Sequence, residues 1–323
     1  MSIRTIGILT SGGDAPGMNA CIRAVVRTGL YHNVNIMGIR RGYEGLLAAD
    51  YIELRARDVG GIVQRGGTML QTSRSTEFMT PEGRDKALRN LRRARIDALI
   101  VIGGNGSMKG AHELHKLGFP VMGVAASIDN DVYGTTVAIG VDTALNTITD
   151  AVDKLRDTAS SHERAFIIET MGRKSGYLAV LSGVICGAEL VLIPEVDATA
   201  DQIIETIAEA FARKKTHAIV MVAEGAKYNA EEVSKLLSAP EINISNRVTV
   251  LGHVQRGGRP SARDRLLAAR FGRGAVEGLL DGKNGMMVAL DGNTITFSNL
   301  QDVTSRTRDV SMEYYDLARI LAQ

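Results

Sequence analysis

Two aspartates in one short segment are the residues whose type and spacing most directly suggest chemistry. Asp129 and Asp131 follow the apolar run VMGVA within the segment ASIDND. If that segment is extended, both carboxylates project to the same side, so that one could hold a metal ion or orient its neighbour while the other accepts a proton from a hydroxyl. An Asp-rich surface turn around Asn130 is the alternative that the residues leave open.

Two glycine-rich loops could bind phosphate. TSGGDAPG at residues 10–17 and GGNGS at residues 103–107 each follow an apolar run and precede a helical pattern. Backbone N–H groups that are free at a loop and helix start bind anions, although glycines also serve simply to make tight turns. Neither loop is GxxxxGK[ST], and GGNGSMKG departs from GxGxxG, which disfavours a P-loop kinase and a dinucleotide oxidoreductase.

Basic residues recur near the ends of later apolar runs. They are Arg164, Arg173, Arg247, His253 and Arg256. Arginine binds phosphate in a bidentate manner, so a repeated placement of this kind indicates a phosphorylated small molecule. A single surface arginine is usually only solvated, so the inference depends on the repetition.

The elements that must position these residues are short strands alternating with helices. The runs TIGIL, DALIVI, VMGVA, AFIIE, HAIVMV and RVTVL predict strands, and Ile22, Val25, Val26 and Leu30 form the apolar stripe of a first helix. Apolar strands that alternate with helices indicate an α/β protein whose mainly parallel sheets are covered on both faces. Ligands collect at the carboxyl ends of such strands, so we expect the two glycine loops to lie at adjacent strand ends.

Composition excludes several classes of function. A chain of 323 residues suits roughly two domains, and 38 basic against 36 acidic residues give no global field that would favour nucleic acid or an anionic membrane. Cys21 and Cys186 are isolated, which disfavours a zinc site or disulfide framework. No signal-peptide pattern or run of about 20 apolar residues is present. We therefore expect a cytoplasmic protein with neither nucleic-acid nor membrane partners.

Seven motifs, in order, carry a resemblance to a known family. TSGGDAPGMNA, RGGTMLQTSR, GGNGS, SIDND, MGR, the AEG around Glu224 and GHVQRGG resemble those of the bacterial ATP-dependent phosphofructokinases, over nearly the whole chain. The resemblance implies transfer of the γ-phosphoryl group of ATP to the 1-hydroxyl of fructose 6-phosphate, with Mg²⁺, by an allosteric homotetramer. Such transfer depends mainly on positioning and charge neutralisation.

The resemblance also implies roles for individual residues. Asp129 would be the base, with Ser127, Asp131 and Arg173 as further catalytic residues. The nucleotide would contact Gly13, Tyr43, Arg74, Ser75, Gly104, Asn105, Gly106 and Ser107. The sugar phosphate would contact Ser127, Asp129, Met171, Gly172, Arg173, Glu224, His253 and Arg256, together with Arg164 and Arg247 from a neighbouring subunit. An effector, ADP or phosphoenolpyruvate, would contact Arg23, Arg27, Arg156, Glu189, Arg213 and Lys215.

Two positions depart from the family pattern. Asn105 stands where the family motif GGDGS has an aspartate that helps to hold Mg²⁺; an amide oxygen can still bind a hard cation but brings no charge. We therefore expect weaker metal dependence or slower transfer. Residues 125–127 read AAS in place of PGT. Pyrophosphate users in this family carry GGDD and PKT, so Gly106 and Ala126 favour ATP.

Two alternatives remain open, and the domain limits follow from the family. The chain could be a catalytically weak regulatory paralogue that binds nucleotide and sugar phosphate, or it could use pyrophosphate or another sugar phosphate.

The predicted fold has two lobes, each a mainly parallel sheet sandwiched by helices. Residues 1–140 plus 255–308 would form the larger, nucleotide-binding lobe, and residues 141–254 plus 309–323 the smaller lobe for sugar phosphate and effector.

Overall fold

The computed structural model describes residues 3–159 and 164–322, which group into two compact units. Unit 1 comprises the described parts of Met1–Ser127, Asp131–Thr143 and Arg256–Arg308. Unit 2 comprises the described parts of Ile128–Asn130, Ala144–Gln255 and Asp309–Gln323. The chain therefore passes between the units several times.

Strands and helices alternate along most of the chain. The strands are β1 (Thr5–Ser11), β2 (Asn35–Ile39), β3 (Tyr51–Glu53), β4 (Ala98–Gly103), β5 (Val121–Ala125), β6 (Ala165–Thr170), β7 (Leu190–Leu192), β8 (Ala218–Ala223), β9 (Asn246–Val250), β10 (Met286–Asp291) and β11 (Thr294–Asn299). The α-helices are α1 (Met18–Tyr31), α2 (Gly42–Ala48), α3 (Pro81–Arg93), α4 (Asn105–Lys116), α5 (Val141–Ala159), α6 (Tyr177–Cys186), α7 (Ala200–Ala212), α8 (Ala230–Leu237), α9 (Ala262–Leu280), α10 (Leu300–Ser305) and α11 (Met312–Leu321). Glu77–Met79 and Gly252–Arg256 form short 3-10 helices.

Unit 1 is built on a sheet of seven strands in the order β11-β10-β5-β4-β1-β2-β3. The five central strands are parallel, and the edge strands β11 and β3 are antiparallel to their neighbours. Strands β4 and β5 are buried at every position, because helices cover both faces of the central sheet. Helix α1 packs against α9; within its apolar stripe Ile22, Val25 and Val26 are buried, whereas Leu30 is exposed at the helix end.

Unit 2 is built on a parallel sheet of four strands in the order β7-β8-β6-β9. Its core contains residues of β6 and β8 packed with α7 and α8. Both helices begin at a capping box, formed by Thr199 with Gln202 and by Asn229 with Glu232. Strand β9 is an edge strand and is less buried than β6 or β8.

The α/β class predicted from the sequence is confirmed, and each of the six predicted runs forms a strand. Strands β2, β3, β7, β10 and β11 were not predicted. Strands β3, β7 and β11 lie at sheet edges, where partial burial leaves a weaker apolar signal. Strands β2 and β10 lie inside the unit 1 sheet and were missed despite their burial. In the part of the chain that the structure describes, no helix is both long and apolar enough to cross a membrane.

Candidate active site

The two glycine loops lie at neighbouring strand ends in unit 1, as the sequence predicted. Ser11 at the end of β1 pairs with Gly103 at the end of β4. The Ser107 hydroxyl in α4 donates to the Ser11 carbonyl at 2.8 Å. A Cβ atom at Gly103 would lie 2.3 Å from that hydroxyl, so a glycine is required for this close approach of strand and helix.

The amino end of α4 is suited to an anion. The helix begins at Asn105, and its N-cap residue Gly104 provides no side-chain cap. The Ser107 N–H donates to the Gly104 carbonyl at 2.9 Å, so the N–H groups that precede it and the positive end of the helix dipole are available to a phosphate. Gly106 is exposed. Ser127 lies next to this turn, since a Cβ atom at Gly104 would be 3.5 Å from the Ser127 Cβ.

Of the two polar atoms of the Asn105 side chain, one has a hydrogen-bond partner and the other has none. Its Nδ2 donates to the Asp131 carbonyl at 3.3 Å, whereas its Oδ1 is buried without a hydrogen-bond partner. A buried oxygen in this condition is costly unless a ligand uses it, and an amide oxygen fits a hard cation. The described residues contain no group of three or more His, Cys, Asp or Glu that could hold a metal. Mg²⁺ beside nucleotides usually has few protein ligands and completes its coordination with substrate phosphates and water.

Tyr43 and Ser75, both predicted to contact nucleotide, are buried beside this loop. The Tyr43 hydroxyl donates to the Ser107 carbonyl at 2.7 Å, and its ring stacks on Phe78 with centroids 4.0 Å apart. Burial raises the Tyr43 pKa above its usual range. The Ser75 hydroxyl accepts from the Phe78 N–H at 3.3 Å, and Arg74 is exposed. Tyr43 therefore contacts the first turn of α4 through the hydrogen bond to the Ser107 carbonyl.

The first glycine loop contacts Arg256. The Arg256 Nη1 donates to the Asp14 carbonyl at 3.2 Å. A Cβ atom at Gly13 would lie 2.5 Å from the same nitrogen. Glycine at this position therefore allows the guanidinium group to lie against the loop backbone.

The segment that carries the two aspartates is not extended, so the expectation that both carboxylates project to one side of an extended chain is wrong. Ala126 still pairs with Ile139, but Ile128 and Asp129 form a turn and Asn130 has φ 49°. Asp129 is 4% exposed and Asn130 2%. That burial also excludes the alternative of a solvated surface turn.

In unit 2, Asp129 lies beside Arg173. Its Oδ2 is 3.7 Å from the Arg173 Nε, and the arginine side chain is 63% exposed. Arg173 has φ 55°, an unusual backbone conformation for a residue with a side chain. Glu224 stabilises it by accepting from the N–H groups of Gly172 at 3.2 Å and Arg173 at 2.6 Å. A buried carboxylate with a cation beside it is able to accept a proton from a bound hydroxyl.

The predicted sugar-phosphate residues of unit 2 follow three adjacent strands. Met171 to Arg173 come after β6, Glu224 after β8 and His253 after β9. Gln255 links two of these loops because its Oε1 accepts from the Met171 N–H at 3.3 Å and its Nε2 donates to the Gly252 carbonyl at 3.0 Å. The carboxyl ends of these strands thus present a carboxylate, an arginine and a histidine at one sheet edge.

Comparison with known proteins identifies the family. The family model described as Phosphofructokinase matches residues 5–279. The chain belongs to the phosphofructokinase family. An ATP-dependent 6-phosphofructokinase of Thermotoga neapolitana is 48% identical over 321 residues, covering 99% of this chain and 100% of that protein. One of Bacillus subtilis is 47% identical over 320 residues, with the same shares of each chain. The resemblance drawn from the motifs is confirmed.

Solved structures share the fold. A phosphofructokinase from Saccharomyces cerevisiae is 35% identical with a TM-score of 0.89, covering 99% of this chain and 48% of that one. This chain therefore spans about half of the yeast chain's length. A pyrophosphate-dependent phosphofructokinase from Marinobacter aquaeolei is 21% identical with a TM-score of 0.87, covering 99% of this chain and 92% of that one, which shows that the fold extends to it.

Arg164 and Arg247 of this phosphofructokinase lie at the other end of the unit 2 sheet. Arg164 directly precedes β6, and Arg247 pairs with Phe166 near the start of that strand. Strand β6 has six residues, so at about 3.3 Å each it separates these arginines from Arg173 by roughly 20 Å. The backbones of the two groups therefore lie towards opposite ends of the unit 2 sheet.

The predicted effector residues fall into separate groups. In unit 2, the Lys215 Nζ lies 3.2 Å from the Glu189 Oε1 and donates to the Ala322 carbonyl at 2.9 Å, while Arg213 donates to the same carbonyl at 3.5 Å. Glu189 and Arg213 line a cavity of about 470 Å³. Arg156 donates to the Cys186 carbonyl. In unit 1, Arg27 donates to the Ala56 carbonyl at 3.0 Å, and Arg23 lies one turn before it on α1.

Sequence reasoning missed residues that hold the site together. Gln255 is fully buried yet stands within the motif GHVQRGG, whose basic residues drew attention instead. Asp264 is 1% exposed and follows Ser261 at the spacing of a helix cap. The pattern S-x-x-D before an apolar run is a sequence signal that could have identified this pair.

Proposed function

We propose that this chain transfers the γ-phosphoryl group of ATP to the 1-hydroxyl of fructose 6-phosphate, giving fructose 1,6-bisphosphate and ADP, as a glycolytic 6-phosphofructokinase of the cytoplasm. The observation that carries the proposal is the 47–48% identity, over 99% of the chain, to relatives named ATP-dependent 6-phosphofructokinase. Residues 1–140 plus 255–308 would bind the nucleotide, and residues 141–254 plus 309–323 the sugar phosphate and effector.

Asp129 would accept the proton of the attacking hydroxyl. Its burial excludes water, and Arg173 at 3.7 Å helps to balance negative charge near the carboxylate. Arg173 and Arg256 would hold anionic oxygens of the sugar phosphate or of the transferring group. The uncapped first turn of α4 and the loop around Gly13 would orient the nucleotide phosphates, so that transfer depends on position and charge neutralisation.

Mg²⁺ is the divalent ion we propose, with the Asn105 Oδ1 as the ligand that this chain supplies. Bound there, the ion would neutralise charge on the nucleotide phosphates. The unsatisfied, buried Oδ1 supports this assignment, and the Asn105 Nδ2, bonded to the Asp131 carbonyl, fixes which end of the amide is presented. Because the amide is neutral, we expect a higher Mg²⁺ requirement than with a carboxylate.

The working form would be a homotetramer with shared sites. The separation of the Arg164 and Arg247 backbones from that of Arg173 along β6 supports this, since a second copy would bring such arginines to a site from which they start far away in their own chain. For regulation, the grouping of Arg213 and Lys215 near Glu189 supports an anionic effector such as ADP or phosphoenolpyruvate.

A coupled assay of fructose 6-phosphate phosphorylation tests the function and the metal role together. Wild type and Asn105→Asp would be compared across a Mg²⁺ titration, with ATP and then pyrophosphate as donor. We expect turnover with ATP only, and half-maximal rate at a lower Mg²⁺ concentration in the variant. Absence of product from wild type, with activity restored by aspartate, would favour a regulatory paralogue; a preference for pyrophosphate would replace ATP as the donor.

A further inference from the structure

A buried carboxylate with no role in the proposed chemistry joins the starts of two helices in unit 1. Asp264 is 1% exposed and lies in the first turn of α9. Its Oδ1 accepts from the Gly140 N–H at 2.9 Å. Its Oδ2 accepts from the Thr143 N–H at 2.8 Å and the Thr143 hydroxyl at 2.6 Å. Asp264 therefore caps helix α5 from another part of the chain.

The first turn of helix α5 also forms hydrogen bonds with Ser261 at the start of α9. The Thr143 Oγ1 accepts from the Ser261 N–H at 2.9 Å, and the Ser261 hydroxyl donates to Asp142 at 2.6 Å. Ser261 in turn caps α9 by accepting from the Asp264 N–H at 3.1 Å. Asp142, Thr143, Ser261 and Asp264 thus form a closed network, which we call the helix clasp.

The helix clasp lies where the chain changes unit. The chain leaves unit 1 after Thr143 and re-enters it at Arg256, five residues before Ser261. The intervening residues include Gly257, Gly258 and Pro260, and Gly258 has φ 88°. Glycines give this segment little conformational preference of its own, so its position depends on contacts. Within the segment the Pro260 carbonyl accepts from the Arg265 Nε at 2.8 Å, and the remaining contacts lie at its two ends.

Both ends of that segment are attached to the first glycine loop or its surroundings. At one end the Arg256 Nη1 donates to the Asp14 carbonyl. At the other, a Cβ atom at Gly17 would lie 3.6 Å from the Asp264 carbonyl oxygen, and one at Gly140 would lie 2.7 Å from the Ala15 Cβ. The 3-10 helix Gly252–Arg256 holds the backbone of Arg256 from the preceding side, and the clasp holds the chain that follows it. Loosening the clasp would release the chain on that following side.

We propose that Thr143 and Asp264 are positioning residues for the reaction, which hold Arg256 where it binds the phosphate of the sugar substrate. This inference rests on the proposed function. The Thr143 hydroxyl is its most specific element, because one oxygen both donates to Asp264 and accepts from Ser261. Arginine binds phosphate through charge-assisted hydrogen bonds whose strength depends on geometry, so a small movement of Arg256 suffices to weaken binding of the sugar phosphate.

The test compares Thr143→Val with Thr143→Ser. Valine keeps the volume of threonine but removes the hydroxyl, whereas serine retains it. We expect Thr143→Val to raise the KM for fructose 6-phosphate at least fivefold while kcat stays within twofold, and Thr143→Ser to remain near wild type. The dissociation constant of fructose 6-phosphate, measured by calorimetry without ATP, should rise by the same factor in Thr143→Val.

Two further results decide between positioning and a purely structural role. Because the residues share one network, Thr143→Val combined with Asp264→Asn should weaken sugar-phosphate binding little more than Asp264→Asn alone. A lower Tm for Thr143→Val with unchanged KM and dissociation constant would overturn the proposal. If wild type gave no turnover, the proposed function would fail, while the binding ratio between the valine and serine variants would still decide the role of the clasp.

Discussion

The burial of Asp129 makes its substitution the most direct test of the chemistry at the scale of single residues. Asp129→Asn keeps the size and the buried position but cannot accept the proton. We expect kcat to fall by about 10²–10⁴, with the KM for fructose 6-phosphate changed little, because the amide can still accept a hydrogen bond. Steady-state kinetics at saturating ATP measure both.

The matched control is Tyr133→Phe, which removes a hydroxyl just after the segment at residues 127–131 from a residue with no assigned role. A loss of kcat in Asp129→Asn that is less than tenfold would contradict the assignment of Asp129 as the base. An equal loss in both variants would instead indicate general damage to the segment at residues 127–131.

The sequence singled out individual residues where they belong to short motifs. Asp129, Arg173 and the two glycine loops stand in short, recognisable segments of the sequence. The structure brings Asp129 and Arg173 together. Asp264 was missed because its partners Gly140 and Thr143 lie more than 100 residues away. Such contacts depend on tertiary structure, which no local spacing reveals.

At the scale of elements, the position of Asn105 depends on helix α4. A cluster of charged side chains anchors the carboxyl end of that helix to α3. Glu113 on α4 pairs with Arg84 on α3 and with Lys116 at 2.5 Å. The hydrogen bond from Lys116, opposed by partial burial and assisted by Arg84, lowers the pKa of Glu113. The folded state therefore binds a proton at Glu113 less readily than the unfolded chain does.

We expect Glu113→Gln to destabilise the protein near neutral pH and to have no effect in acid. A lowered pKa contributes stability above the ordinary glutamate range, and that stability is lost as the pH falls through the folded value. The side chains are partly exposed, so the difference should be below about 1 kcal/mol. Denaturant titrations at pH 7 and in acid measure it, with Glu205→Gln on α7 as an exposed control. A loss of stability that persists in acid would contradict the ion-pair explanation.

Strands could be predicted from the sequence where their burial leaves a clear pattern of apolar residues. Strands β4 and β5 are buried throughout and read as uninterrupted apolar runs. Strand β11, at the edge of the unit 1 sheet, has no fully buried position, so its sequence does not stand out. The sequence left a turn around Asn130 open as an alternative, and a turn is what forms at Ile128 and Asp129. Its burial was not predicted, because burial depends on the surrounding fold.

At the scale of the whole molecule, the placement of Arg164 and Arg247 is the feature that calls for a second copy. Both lie at the amino ends of β6 and β9, whereas Arg173 and Glu224 follow the carboxyl ends of β6 and β8. If all four residues serve one sugar phosphate, we expect the site to combine two subunits. The resemblance to the family identified Arg164 and Arg247 from the sequence alone. Only the order and direction of the strands in the unit 2 sheet show how far they lie from Arg173.

Shared sites predict that two inactive variants restore each other. Asp129→Asn and Arg247→Ala, mixed, dissociated and reassociated, should regain activity, because random mixing in a closed symmetric oligomer gives about one site in four an intact Asp129 from one copy and an intact Arg247 from its neighbour. The control mixes Asp129→Asn with Arg173→Ala. Those residues lie 3.7 Å apart in the same chain, so no hybrid site can contain both intact side chains, and activity should not return. Recovery in both mixtures, or in neither, would mean that Arg247 does not act across subunits.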